Sequence, residues 1–231
     1  MTIVVAAVSE GVEVGRWPLG HGEDPASVLA AHGWRGAPTG TRLMGPDVVI
    51  DYEVTACPPI TAPEVPLAPQ GARRLQRLAA YALVVDAGHL LLTQLSERVA
   101  GGAGHWTLPG GGVDPGEAPV DGAVREVHEE AGQVVVVDEL VQVQSRHWIG
   151  DVAAGESPED FHAVRLIHRA TCPEPGPARV VEVDGSTAAA AWVPLAEVRA
   201  LPGIDDGGTE LDITVLIRPN DPLYELGWPV M

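Results

Sequence analysis

Apolar positions along the chain fall mostly into short β-type runs, broken by glycine and proline, with one clear helical repeat near the middle. Residues 2–8 form an apolar run and residues 12–19 alternate, so they are predicted as two strands joined at Ser9-Glu10-Gly11. Asp24 followed by Pro25 predicts an N-capped helix that stops near Gly33, because aspartate caps the free amides and proline tolerates the first helical position. A further strand is expected over residues 48–55. Together these make a small ββαβ unit over residues 1–57. Pro58, Pro59, Pro63, Pro66 and Pro69 then make a stiff connector over 58–72.

The larger unit is expected over 73–231. Residues 78–85 and 90–94 alternate around Asp86-Ala87-Gly88 and predict a hairpin. A glycine-containing loop over 96–105 follows, then a helix over 118–131 that Gly132 ends. The β-branched run 134–143 predicts a buried strand. Residues 162–171 and 189–194 predict later strands, 181–184 is a weaker candidate, and 195–201 a short helix. Residues 211–217 suit either a strand or a helix. The pattern alone gives an α/β class.

The helix over 118–131 carries the chemistry. Glu126, Glu129 and Glu130 are three and four residues apart and so share one face, while Val120, Ala123, Val124, Val127 and Ala131 form the other. A solvated acidic face would have the same spacing. What separates this helix from such a face is the preceding Leu108-Pro109-Gly110-Gly111-Gly112, where glycines let the backbone bend and approach a ligand closely. Clustered carboxylates suit hard divalent cations, which take oxygen ligands and share their shell with phosphate.

Gly111, Glu117, Arg125, Glu126, Glu129, Glu130 and Gly132, with Val127 between, stand at the spacing G-x5-E-x7-R-E-U-x-E-E-x-G. This segment resembles the box of the Nudix hydrolases, departing from it where Gln133 replaces an aliphatic residue that Val134 could supply instead. The resemblance implies an α/β/α sandwich with a mixed sheet and a Mg²⁺- or Mn²⁺-dependent hydrolase. It implies water attack on phosphorus in a nucleoside diphosphate derivative, such as a nucleoside triphosphate or a similar small nucleotide. It makes the Gly110 carbonyl, Glu126, Glu129 and Glu130 metal ligands and Glu126, Glu129 and Arg125 catalytic, Arg125 by holding Glu117 or a box glutamate in place. Relatives often add a carboxylate upstream of a tryptophan like Trp192, here Glu182 or Asp184. The companion motifs that mark ADP-ribose, coenzyme A and dinucleoside polyphosphate substrates are absent, and His147-Trp148 stand where ADP-ribose hydrolases carry a proline. A ligand-binding or regulatory module of the same fold is the alternative, but such modules often have eroded boxes and basic appendages, whereas residues 1–70 carry only Arg16, Arg35 and Arg42 as cations.

Charge narrows the partners. The net charge of -18 rests on 32 acidic residues against 14 arginines, with no lysine. Such a surface repels nucleic-acid polymers and anionic lipid, leaving a small anionic nucleotide as the expected ligand. Cys57 and Cys172 stand in no ligand spacing, and no apolar leader opens the chain, so a cytoplasmic enzyme is expected. The N-terminal unit could pack on the main domain or form a homodimer. His105, His147, His162 and His168 form no metal spacing and are expected on loops or strand surfaces.

Overall fold

A computed structural model describes residues 1–99, 102–150, 158–183 and 185–204. The chain divides into two compact units. One comprises Met1–Ala80, Gly112–Gly122 and Glu139–Ile167, the other Tyr81–Gly111, Ala123–Asp138 and His168–Met231.

The first unit contains a four-stranded sheet of order β2-β1-β4-β3. Its elements are β1 (Ile3–Ser9), β2 (Val12–Pro18), α1 (Pro25–Ala31), β3 (Trp34–Met44) and β4 (Asp47–Ala56). Ser9 pairs with Val12, so Glu10 and Gly11 form the whole β1–β2 turn. Both have positive φ, 52° and 76°, as the tight turn matching strand twist requires. The Asp24 carboxylate accepts from the Ser27 amide at 2.9 Å, so the predicted cap forms. β1 lies between β2 and β4, and Ile3 to Ala7 are buried with Val48, Val49 and Ile50. The expected ββαβ order is present with one strand added. β3 reads as loop in sequence because Gly36, Pro38 and Gly40 interrupt it. As an edge strand it tolerates proline, and its register shifts between Pro38 and Gly40. Gly36 lets the backbones close up, since a Cβ there would stand 1.9 Å from the Glu53 carbonyl oxygen.

A seven-stranded sheet contains β5 (Arg73–Asp86), β6 (His89–Leu95), β9 (Val136–Gly150), β10 (Glu159–Thr171) and β11 (Thr187–Pro194) in the order β11-β6-β5-β10-β9. Two short strands complete it, β7 (Trp106–Thr107) on β6 and β8 (Gly110–Gly112) on β5. The β5–β6 hairpin forms as expected, with Asp86 opposite His89 and Ala87 and Gly88 at positive φ. With its helices this is the mixed α/β fold expected. The 134–143 run is not a buried strand. Val134 is 68% exposed and Val136 is also exposed, because β9 alternates and buries Leu140 instead. Residues 181–183 are not a strand, and the helix expected over 195–201 is a 3-10 turn at Val198–Ala200. Asp184 and residues 211–217 lie outside the described residues. Among the described residues, no helix is long and apolar enough to cross a membrane.

Helix α2 (Pro119–Ala131) belongs to the second unit from Ala123 onward, where it seats Val127 and Ala131 against Ala82 and Val84 of β5, Leu91 of β6 and Ala170 of β10. Gly132 ends the helix at φ 65°, its amide returning to the His128 carbonyl. The free carbonyls of the last turn accept from the next chain segment: Arg179 donates to Ala131, and Val181 and Glu182 both donate to Glu129.

Gln133 is the reason that segment stays in place. Its side chain is buried at 2% exposure, and Val134 does not take over its role. Its amide nitrogen donates to the Ala131 and Pro177 carbonyls, and its oxygen accepts from the Gly176 amide at 3.0 Å. Gln133→Leu restores an aliphatic residue but strands these groups, so unfolding free energy should fall by about 1–3 kcal/mol in urea titration.

His162 and His168 are buried, not on a surface. Burial of the His168 ring drives its pKa from 6.5 to about 4, opposed by the Tyr81 backbone. The unfolded chain therefore binds a proton that the native state refuses. Stability contributed by the neutral ring is complete above pH 6.5 and is lost as pH falls toward 4. Melting temperature should drop across that window, and His168→Leu should flatten the drop.

Candidate active site

The box glutamates differ in environment although they share one helix. Glu130 points inward and is 4% exposed. Its carboxylate accepts from the Gly110 amide of β8 at 3.0 Å, from the Thr187 hydroxyl of β11 at 2.5 Å and from the Thr93 hydroxyl of β6 at 3.5 Å. Thr93 and Thr187 were not anticipated from sequence; a hydroxyl directly after Leu90-Leu91-Leu92 is the one trace they leave there. Burial pushes the Glu130 pKa up to about 7. The Thr187 and Gly110 hydrogen bonds oppose that rise, and the Glu126 and Glu182 charges add to it.

Glu126 faces the glycine strand. A Cβ at Gly111 would stand 2.5–2.7 Å from its carboxylate, so only glycine leaves that space to the acid. Burial raises its pKa as well, against the pull of Arg125 and with repulsion from Glu129 and Glu182. The Arg125 guanidinium donates to Glu126 and to Glu129, each at 3.0 Å, which ties two box acids together from one cation. Both of these bonds are to box glutamates, one of the two kinds of partner expected for Arg125. The Glu117 carboxylate accepts from the Asp114 amide at 2.9 Å, which organises the turn before the helix. Glu182 is exposed, and the bonds from residues 179–182 to the end of α2 bring it close enough to act electrostatically on Glu126 and Glu130.

A family model of the NUDIX domain matches residues 75–210. The chain belongs to the NUDIX family. Over 65 residues, 28% of this chain and 46% of that protein, it is 34% identical to the nucleoside triphosphatase NudI of Salmonella agona. It therefore spans about half the length of the curated relatives it matches. Among solved structures it is similar to a MutT NUDIX hydrolase from Burkholderia pseudomallei, at 30% identity over 52% of this chain and 84% of that one, with a TM-score of 0.36. It is also similar to an ADP-ribose pyrophosphatase from Streptococcus suis, at 21% identity over 55% and 78% of the two chains, with a TM-score of 0.39.

NUDIX hydrolases are generally dependent on a divalent metal. The donor set of this NUDIX domain fits such an ion. The Glu126 carboxylate lies against Gly111 and the Glu130 carboxylate accepts from the Gly110 amide, so both acids face the same glycine backbone, and burial raises both pKa values. Gly111→Ala would place a methyl group against the Glu126 carboxylate and turn it aside. The variant should keep its circular dichroism spectrum while divalent-ion affinity falls by about tenfold or more in titration calorimetry.

Proposed function

We propose that the chain is a divalent-metal-dependent pyrophosphohydrolase. It cleaves the diphosphate linkage of a nucleoside diphosphate derivative, most simply a nucleoside triphosphate or similar small nucleotide, by water attack on phosphorus. The observation carrying this reading is the convergence of Glu126 and Glu130 on the Gly110-Gly111 backbone, with Arg125 bridging Glu126 to Glu129. Mg²⁺ or Mn²⁺ would be held by Glu126, Glu129, Glu130 and the Gly110 carbonyl. When bound, the ion neutralises phosphate charge and lowers the pKa of a coordinated water.

The residues divide the remaining work. Glu129, the most open of the three acids, would take a proton from water, with Glu126 as the other acid for that role. Arg125 is a positioning residue that fixes both carboxylates and offsets their repulsion. Glu130, oriented by its hydroxyl and amide donors, serves as a metal ligand and not as the base. The net charge of -18 makes the metal and local arginines the means of drawing in an anion. The two thiols, Cys57 and Cys172, are free, which accords with a cytoplasmic setting. Residues 1–57 and 58–72 are read as an appended unit and its connector, with residues 73–231 as the hydrolase domain. A homodimer through the appended unit would show as a change of mass in solution when it is removed.

The test is a panel of nucleoside diphosphate derivatives with Mg²⁺ and Mn²⁺, scored for phosphate or pyrophosphate release. Turnover should vanish with chelator, and Glu126→Gln and Glu129→Gln should each reduce kcat by about 10²-fold or more with the fold intact. Full activity in both variants would refute the assignment.

A further inference from the structure

Away from the box, three adjacent strands turn alternate residues to a common face. Arg74 and Gln76 come from β5, Asp160 and His162 from β10, and Ser145 and His147 from β9, each pair two residues apart as one face of a strand requires. His21 reaches the same place from the loop between β2 and α1. The Asp160 Oδ1 atom meets His21 Nε2 at 2.9 Å and His147 Nε2 at 2.5 Å, and the three ligand atoms all lie within 4.8 Å of one another. Side-chain exposures are 11% for His21, 8% for His147 and 3% for Asp160.

We propose that His21, His147 and Asp160 form a second metal site, for a borderline transition ion such as Zn²⁺, distinct in chemistry from the all-oxygen box. Two imidazole nitrogens and one carboxylate oxygen are donors that Zn²⁺ takes readily and Mg²⁺ does not. Bonds of about 2.0–2.1 Å at tetrahedral angles set neighbouring ligand atoms about 3.3 Å apart, so the two separations from Asp160 Oδ1 need to open by less than about 1 Å.

The surroundings hold the three ligands in position. Arg74 donates to the second carboxylate oxygen of Asp160 at 3.3 Å, leaving Oδ1 toward the histidines. His162 is committed elsewhere and is not a ligand. Its Nε2 meets the Ser145 hydroxyl, which donates to the Glu23 carbonyl, so Nε2 carries the proton. Its Nδ1 then accepts from the Gly22 amide and the Gln76 side chain. That chain of bonds holds the backbone immediately after His21, at Gly22 and Glu23, while the His21 ring meets Asp160. A pocket of about 180 Å³, lined by Glu23, Asp24 and Glu64 among others, reaches His147, from which water would supply a fourth ligand. The ion would staple the β2–α1 loop to β9 and β10.

The site is independent of turnover, so its test is as well. Full-length protein stripped by chelator is reloaded with Zn²⁺ in excess Mg²⁺, passed through a desalting column and assayed by elemental analysis. Co²⁺ serves as the spectroscopic stand-in. The expected result is about one retained Zn²⁺ per chain, a higher melting temperature with Zn²⁺ and a visible Co²⁺ absorption band. His147→Gln and Asp160→Asn should each lose all three, Arg74→Gln should weaken binding about tenfold, and Glu129→Gln should change nothing. His21→Gln, on a loop outside every helix and strand, gives a folded variant if the strand variants fail. No retained Zn²⁺ in the wild type, or equal retention in His21→Gln, would overturn the proposal.

Discussion

Burial of Glu130 is the constraint on which the box depends. The same helix that drives Val127 and Ala131 into the core of the second unit must carry a carboxylate in with them. That is tolerable because donors from three separate strands are waiting: the Gly110 amide, the Thr93 hydroxyl and the Thr187 hydroxyl. A buried acid without such partners would cost several kcal/mol or give up its charge. The helix is thereby fixed in rotation and in height, which in turn points Glu126 at the glycine strand. Gln133 and the 179–182 segment complete the arrangement by satisfying the helix end.

Electrostatically the result is a site whose acids outnumber its nearby cations. Arg125 supplies one, divided between Glu126 and Glu129. Glu182 adds negative charge, and burial above all raises the pKa of both inner acids. Hydrogen bonds alone do not balance this. In the proposed function a divalent cation would do so directly, letting a phosphate-bearing ligand approach a chain whose net charge would otherwise repel it.

Much of this was legible in sequence, for a local reason. Helix caps, two-residue turns and the three-and-four spacing of the glutamates are all decided by neighbours along the chain, and Asp24, Glu10-Gly11, Ala87-Gly88 and α2 behave accordingly. What could not be read depends on partners far away. β3 is held as a strand by pairing with β4 despite its glycines and proline. Gln133 resembles a defect until Gly176 and Pro177 are placed beside it. Val134 and Val136 read as core because a β-branched run says nothing about which faces are covered. The histidines were scattered in sequence for the same reason, since 139 residues separate His21 from Asp160 and only the fold brings its loop beside β10.

Asp160 and Glu130 make the same point from the physics. Both are buried carboxylates, so burial raises both pKa values, yet the outcomes are opposite. Around Asp160 the hydrogen bonds from His147, His21 and Arg74 win, holding it well below the usual carboxylate range. Around Glu130 the donors are neutral hydroxyls and an amide, and the nearby charges are negative, so burial wins. One acid is surrounded by nitrogen donors able to share a borderline ion, the other by oxygen atoms that suit a hard one. Depth in the fold does not decide what a carboxylate is for; the charge and ligand type of its immediate neighbours do.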